Sequence, residues 1–242
     1  MSFRSVVEAV HFMSWRDVAL FRRSARADAV LTRDRPRLGN RGALEAVYAD
    51  ADPWASADPA YRYQRRKYET ILSLLPAHHF RSAVDLGCGV GLMTRMLAGH
   101  ADTVLGLDLA QAAIDSAQAR TPMPPSVRFA QADLLDLPRT MDGQFDLVVL
   151  ADTLYYLRPI DEALLAQLAL RAAQLLVPGG LCVLANHYFT GLDTDSRLSR
   201  RIHNAFVRSP VFSVIGNHRR PFYLVSILQK SVQTTSKQES GS

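Results

Sequence analysis

The 242-residue chain is 48% apolar and carries 28 basic against 23 acidic side chains, a formal charge of +5. That length and apolar share suit one well-buried domain with an added cap and exclude two large domains. No run approaches the roughly 18 apolar residues of a membrane span, and Cys88 and Cys182 have neither paired spacing nor a secretory signal ahead of them, so reduced thiols and a cytoplasmic location are expected.

The positive excess is local. Residues 1–41 hold nine arginines (Arg4, Arg16, Arg22, Arg23, Arg26, Arg33, Arg35, Arg37, Arg41) against four acids, which accounts for all of it. A neutral body offers no stripe to follow a phosphate backbone, so nucleic acid is not expected as a partner. Within this leader Phe3, Val6, Val7, Val10, Met13, Val18 and Phe21 recur at helical spacing, predicting an amphipathic helix that ends near the polar 32–37 stretch. Its apolar face can cover this chain's own active site or pair two copies into a homodimer.

A turn at Asp52-Pro53-Trp54 precedes a second helical pattern from Pro59 to Leu75, stopped by Pro76. Tyr48, Trp54, Tyr61, Tyr63 and Tyr68 cluster around it and read either as packing or as a lid. The expected organisation is a helical leader and cap over 1–58, a main domain over 59–229 and a polar, disordered tail over 230–242.

From residue 82 the patterns alternate. Strands are predicted at 82–86, 103–107, 126–130, 145–150 and 181–187, with helices at 91–99, 110–120 and 160–176, the last opened by Pro159, Asp161 and Glu162 and closed before Gly179-Gly180. Alternation of this kind predicts an α/β fold with a doubly wound, Rossmann-like parallel sheet. A polar, arginine-rich loop is expected at 193–201, then strands at 211–215 and 222–228 separated by 216–221; joined without a crossover helix, these two should be antiparallel.

The first predicted strand ends in Asp85 and runs into Gly87-Cys88-Gly89-Val90-Gly91. Glycines at that spacing turn strand into helix and admit a ligand close to the backbone. The spacing is not that of a dinucleotide loop, which needs glycine where Leu92 stands, and Asp85 would oppose a pyrophosphate. A cofactor carrying an ammonium and a sulfonium would welcome that acid. Asp108, at the end of the second strand and about 20 residues on, is placed to accept from two ribose hydroxyls. Asp133 follows the third strand, where it can accept from an exocyclic amine, and Ala151-Asp152-Thr153-Leu154-Tyr155-Tyr156 follows the fourth.

Together Val84-Asp-Leu-Gly-Cys-Gly-Val-Gly91, Gly106-Leu-Asp-Leu109, Ala132-Asp-Leu134, Phe145-Asp-Leu-Val-Val-Leu150 and Leu176-Val-Pro-Gly-Gly-Leu181 resemble the class I S-adenosylmethionine-dependent methyltransferases. The resemblance spans about residues 60 to 229. It implies a seven-stranded sheet with the last strand antiparallel and S-adenosyl-L-methionine as cofactor. By the same resemblance Asp85, Gly87, Cys88, Gly89 and Gly91 hold the methionine part, Asp108 and Leu109 the ribose, Asp133 and Leu134 the adenine, and Ala151 touches the methionine end through its backbone. More narrowly, Asp52-Pro-Trp54, Lys67-Tyr68 and the 151–157 segment are similar to nodulation protein S and its relatives, which implies an amine on a small molecule as acceptor; residues 187–220 match no motif.

Methyl transfer from a sulfonium needs alignment more than acid or metal chemistry; no histidine pair has ligand spacing, and no metal is expected. An amine acceptor must be neutral, and His187, after the fifth helix-flanked strand, is the first candidate base, followed by Tyr156 and Asp152; a purely structural hydrogen bond for His187 stays open. Small-molecule O-methylation and cofactor binding without turnover are the alternatives.

Overall fold

The computed structural model describes residues 15–189, 193–220 and 222–231. The chain order is α1 (Trp15–Val47), α2 (Arg62–Ser73), β1 (Phe80–Leu86), α3 (Leu92–Leu97), β2 (Ala101–Asp108), α4 (Gln111–Ala119), β3 (Val127–Gln131), β4 (Phe145–Ala151), α5 (Glu162–Leu175), β5 (Leu176–His187), α6 (Thr194–Val207), β6 (Phe212–Arg220) and β7 (Tyr223–Lys230). Seven strands form one sheet in the order β3-β2-β1-β4-β5-β7-β6. Strands β1 to β5 pair in parallel, and β7 runs antiparallel to both β5 and β6.

The central strands are apolar almost throughout because helices cover both faces. Val84, Leu147, Val148, Leu184 and Val225 are fully buried. One layer gathers Ile71, Leu97, Val104 and Ile114 from α2, α3, β2 and α4. The other gathers Leu165, Leu168, Ile202 and Phe206 from α5 and α6. The strand order reverses between β1 and β4, and the loops leaving their carboxyl ends meet at that switch point, where an open α/β sheet binds ligand.

Three expectations need correction. The segment expected as a polar loop at 193–201 is the first half of α6. Asp193 caps it by accepting from Ser196 N at 2.8 Å, and Leu198, Ile202 and Phe206 recur at four-residue spacing on its buried face. The leader helix does not end at 32–37. It accommodates Pro36 and breaks at Gly39, whose φ of 69° interrupts it before the chain resumes to Val47. Phe3, Val6, Val7, Val10 and Met13 lie outside the described residues. Finally, 216–220 are not a turn but belong to β6, in register with β7 through Arg220 and Tyr223.

Helix α1 packs on its own chain. Ala27, Leu31, Ala43 and Val47 are buried with Trp54 and Tyr156 against them, and Glu45 accepts from Gln111 N at 2.6 Å and Ala112 N at 3.0 Å, fixing the leader to the amino end of α4. Among the described residues no helix is long and apolar enough to cross a membrane. Both cysteines are free and buried.

Candidate active site

Gly87, Gly89 and Gly91 take φ values of 76°, 53° and 79°, so each adopts the left-handed backbone that only glycine takes without strain. The loop they build is crowded. A Cβ on Gly87 would fall 2.2 Å from a Thr153 carbon and one on Gly89 would fall 2.9 Å from the Tyr48 hydroxyl. Thr153 is held there by donating to Leu86 O at 2.8 Å.

Beside this loop lies a cavity of about 90 Å³, lined in part by Gly87, Asp108, Leu109, Asp133, Leu134 and Asp152. Residues from the ends of β1, β2, β3 and β4 therefore converge, as their spacing along the sequence predicts. Asp108 accepts from Gly89 N at 2.9 Å on one oxygen and from Ala110 N at 3.0 Å on the other. Each oxygen keeps a lone pair for a further donor. Asp133 caps the short turn at Leu134–Asp136 by accepting from Leu135 N at 2.9 Å. Tyr48 and Trp54 roof the cavity, edge on at 5.2 Å between ring centroids, and Trp54 meets Tyr156 at 5.2 Å. The Asp52 turn that carries Trp54 is pinned by Ser56 N and Ala57 N at 2.9 and 3.0 Å.

Other expected residues sit behind the loop. Asp85 is buried and accepts from Thr94 Oγ1 at 2.6 Å. Desolvation pushes its carboxyl up to about 7, against the Thr94 hydrogen bond that lowers it. Cys88 and Gly91 are buried, and Ala151 offers its carbonyl to Thr153 Oγ1 at 3.2 Å. A raised Asp85 pKa means the folded chain holds a proton there, between about pH 4 and 7, that the unfolded chain has lost; Asp85 therefore subtracts stability as pH rises through that window. Asp85→Asn should gain on the wild-type protein in thermal unfolding as pH is raised from 5 to 8, and parallel pH profiles would contradict the assignment.

The richest chemistry lies past Ala151. Asp152 has a φ of 58°, a strained conformation for a residue with a side chain. Its Oδ2 pairs with Lys67 Nζ, while its Oδ1 is buried without a partner. Lys67, 5% exposed, also lies over the rings of Tyr68 and Tyr223 at 5.7 and 5.6 Å. His187 closes β5 opposite Tyr223. Burial lowers its pKa below 6.5 and the Lys67 charge lowers it further, so its imidazole is neutral at neutral pH.

Tyr156 is not placed as a base. Burial raises its phenol well above 10, and its hydroxyl donates to Asp28 Oδ1 at 3.2 Å. Asp28 also accepts from Trp54 Nε1 at 2.8 Å. Asp28 is solvent-exposed by area, yet desolvation by the protein around it raises its pKa, and His187 is close enough to lower it electrostatically. Sequence reasoning left Lys67 without a chemical role and passed over Asp28, since their partners lie 85 and 26 to 128 residues away.

A seven-stranded sheet of this order, with a glycine loop after β1 and acids at the ends of β2 and β3, is the fold of the class I S-adenosylmethionine-dependent methyltransferases. Comparison with known proteins agrees. Residues 84–184 match the family model described as a methyltransferase domain. Nodulation protein S of Rhizobium tropici is 30% identical over 164 residues, covering 68% of this chain and 65% of that protein. Trans-aconitate 2-methyltransferase of Deinococcus radiodurans is 38% identical over 122 residues, 48% of this chain and 43% of that protein. The chain thus spans just under two thirds of the first relative and less than half of the second. Among solved structures, the N-methyltransferase NodS from Bradyrhizobium japonicum WM9 in complex with S-adenosyl-L-homocysteine has a TM-score of 0.65 at 24% identity, covering 77% of this chain and 96% of that one. Residues 84–184 thus carry a methyltransferase domain in the fold of the class I S-adenosylmethionine-dependent methyltransferases, and the chain is similar to nodulation protein S.

Proposed function

We propose that this chain transfers the methyl group of S-adenosyl-L-methionine to an amine nitrogen on a small molecule. The observation that carries this reading is the unpartnered buried oxygen of Asp152 within electrostatic reach of a neutral His187. An amine offers what such a pair lacks: N–H donors for Asp152 and a proton for His187 to accept.

The residues present fit the cofactor. The glycine loop takes the methionine part, Asp108 the ribose hydroxyls and Asp133 with Leu134 the adenine, with Leu109 and Leu137 as apolar walls. The cofactor supplies an activated methyl carbon and its leaving thioether. The present cavity of about 90 Å³ falls below the roughly 300–1,000 Å³ of small-molecule sites, so the Tyr48 and Trp54 roof must swing aside on binding.

The protein's own part is to strip, hold and aim the acceptor. His187 removes a proton from the ammonium form, Asp152 Oδ1 and Asp28 hold the remaining N–H groups, and Lys67 keeps Asp152 in its strained backbone position. Replacing Asp108 by Ala should weaken S-adenosylhomocysteine binding about 10- to 100-fold, the worth of one or two charge-assisted hydrogen bonds. Equal affinities in a calorimetric titration would remove Asp108 from the cofactor site.

Incubation with isotopically labelled S-adenosylmethionine and a panel of amines and alcohols tests the function. Label on nitrogen is the expected result. Label on hydroxyl groups alone, or on none of the panel, would overturn the amine assignment.

A further inference from the structure

A second concave site, open to solvent, lies apart from the glycine loop. It spans about 900 Å³ between α1, the Arg158–Ile160 segment and the first turns of α6. Four arginines line it: Arg35, Arg158, Arg197 and Arg201. Arg158 meets Asp195 at 3.5 Å and Arg201 meets Glu162 at 2.8 Å. Among the described residues Arg35 and Arg197 have no such carboxylate. Arg35 Nε is buried without a hydrogen-bond partner, and so is Asn40 Oδ1, whose amide donates to Arg158 O at 3.0 Å. Desolvation lowers the Arg35 pKa and the neighbouring charge of Arg158 lowers it further. Like charges gathered in a concave site are relieved by an anion.

The cavity adjoins the acceptor site. Arg158 follows Tyr156 by two residues, and Tyr156 donates to Asp28. Asp28 and Arg35 stand seven residues apart on one face of α1, which at a helical rise of 1.5 Å per residue is roughly 10 Å along its axis. We propose that this groove binds a carboxylate or phosphate group carried by the methyl acceptor, roughly 10 Å from the amine that is methylated. The acceptor is then an amine with an anionic far end. This rests on the amine reading for its near end and on the arginines for its far end.

Two assays separate those supports. In the first, aminooctanoate, with its amine and carboxylate at opposite ends, competes as acceptor against octylamine of the same length. The wild-type protein should prefer aminooctanoate in kcat/KM by about tenfold, and the doubly substituted Arg35→Gln, Arg197→Gln protein by less than about threefold. Equal use of the two amines by the wild type, or an undiminished preference in the variant, overturns the link to the acceptor. In the second, inorganic pyrophosphate is titrated into each protein saturated with S-adenosylhomocysteine, which also reports that the variant is folded. Binding weakened about tenfold by the double substitution upholds the anion site even if no amine is methylated, in which case the amine reading fails alone and the anion comes from a free phosphate. Pyrophosphate bound alike by both proteins, or by neither, overturns the site.

Discussion

His187→Asn should lower kcat by about 10²- to 10⁴-fold, the usual contribution of a positioned base, and should remove the acid limb of the pH profile. The sign follows from the depressed pKa of this imidazole, set first by burial and then by Lys67. The neutral ring is the working form, so the wild-type rate rises with pH through a value below 6.5 and then levels until the acceptor or another group intervenes. Asparagine keeps a hydrogen-bonding group at the end of β5 but has no proton to gain in that range. Rates of methyl transfer from pH 5 to 8 decide the matter. A variant that is slower but keeps the acid limb would give His187 a structural role only.

The second large effect is expected at the Lys67 and Asp152 pair. Lys67→Met leaves a carboxylate in a buried, strained position with one oxygen already unpartnered, and should destabilise the fold by about 3–5 kcal/mol. Lys67→Met combined with Asp152→Asn removes both charges while keeping a side chain that tolerates positive φ, and should recover much of that loss. Activity should not return with stability, since the acceptor's N–H groups then meet no carboxylate from β4. Urea unfolding of the two single variants and the double variant gives the coupling energy. Additive losses would show that the two side chains do not act as a pair.

These effects attach to the parts of the molecule that sequence reasoning read least well. The sheet was legible because buried strands are short apolar runs with acids and glycines at their carboxyl ends, so Asp85, Asp108, Asp133 and Ala151 each stand at or just after the end of a strand. The convergence of Gly87, Asp108, Leu109, Asp133 and Leu134 on one cavity follows from that topology. Helix α6 was obscured by composition: arginines at 197, 200 and 201 fill its exposed face and hide the spacing of Leu198, Ile202 and Phe206. Pro36 suggested a stop in the leader, yet the break falls at Gly39, where positive φ is available without strain.

The chemistry of the acceptor side was legible only in part. His187 and Asp152 stand at or next to strand ends and could be named, but the burial that keeps His187 neutral and the pairing of Asp152 with Lys67 from α2 come from tertiary packing. Asp28 comes from a leader that local pattern describes merely as amphipathic. Its contacts with Trp54 and Tyr156 exist because α1 folds back over its own chain and seats Glu45 on the amino end of α4. No spacing rule encodes a contact between residues 128 positions apart.

In a crystal structure with S-adenosylhomocysteine bound, the ribose hydroxyls should lie on Asp108, the adenine amine on Asp133, the Tyr48 and Trp54 roof should be displaced, and the sulfur should face the space bounded by Asp152 and His187. A sulfur turned away from those two residues, or a nucleoside held elsewhere, would contradict this placement.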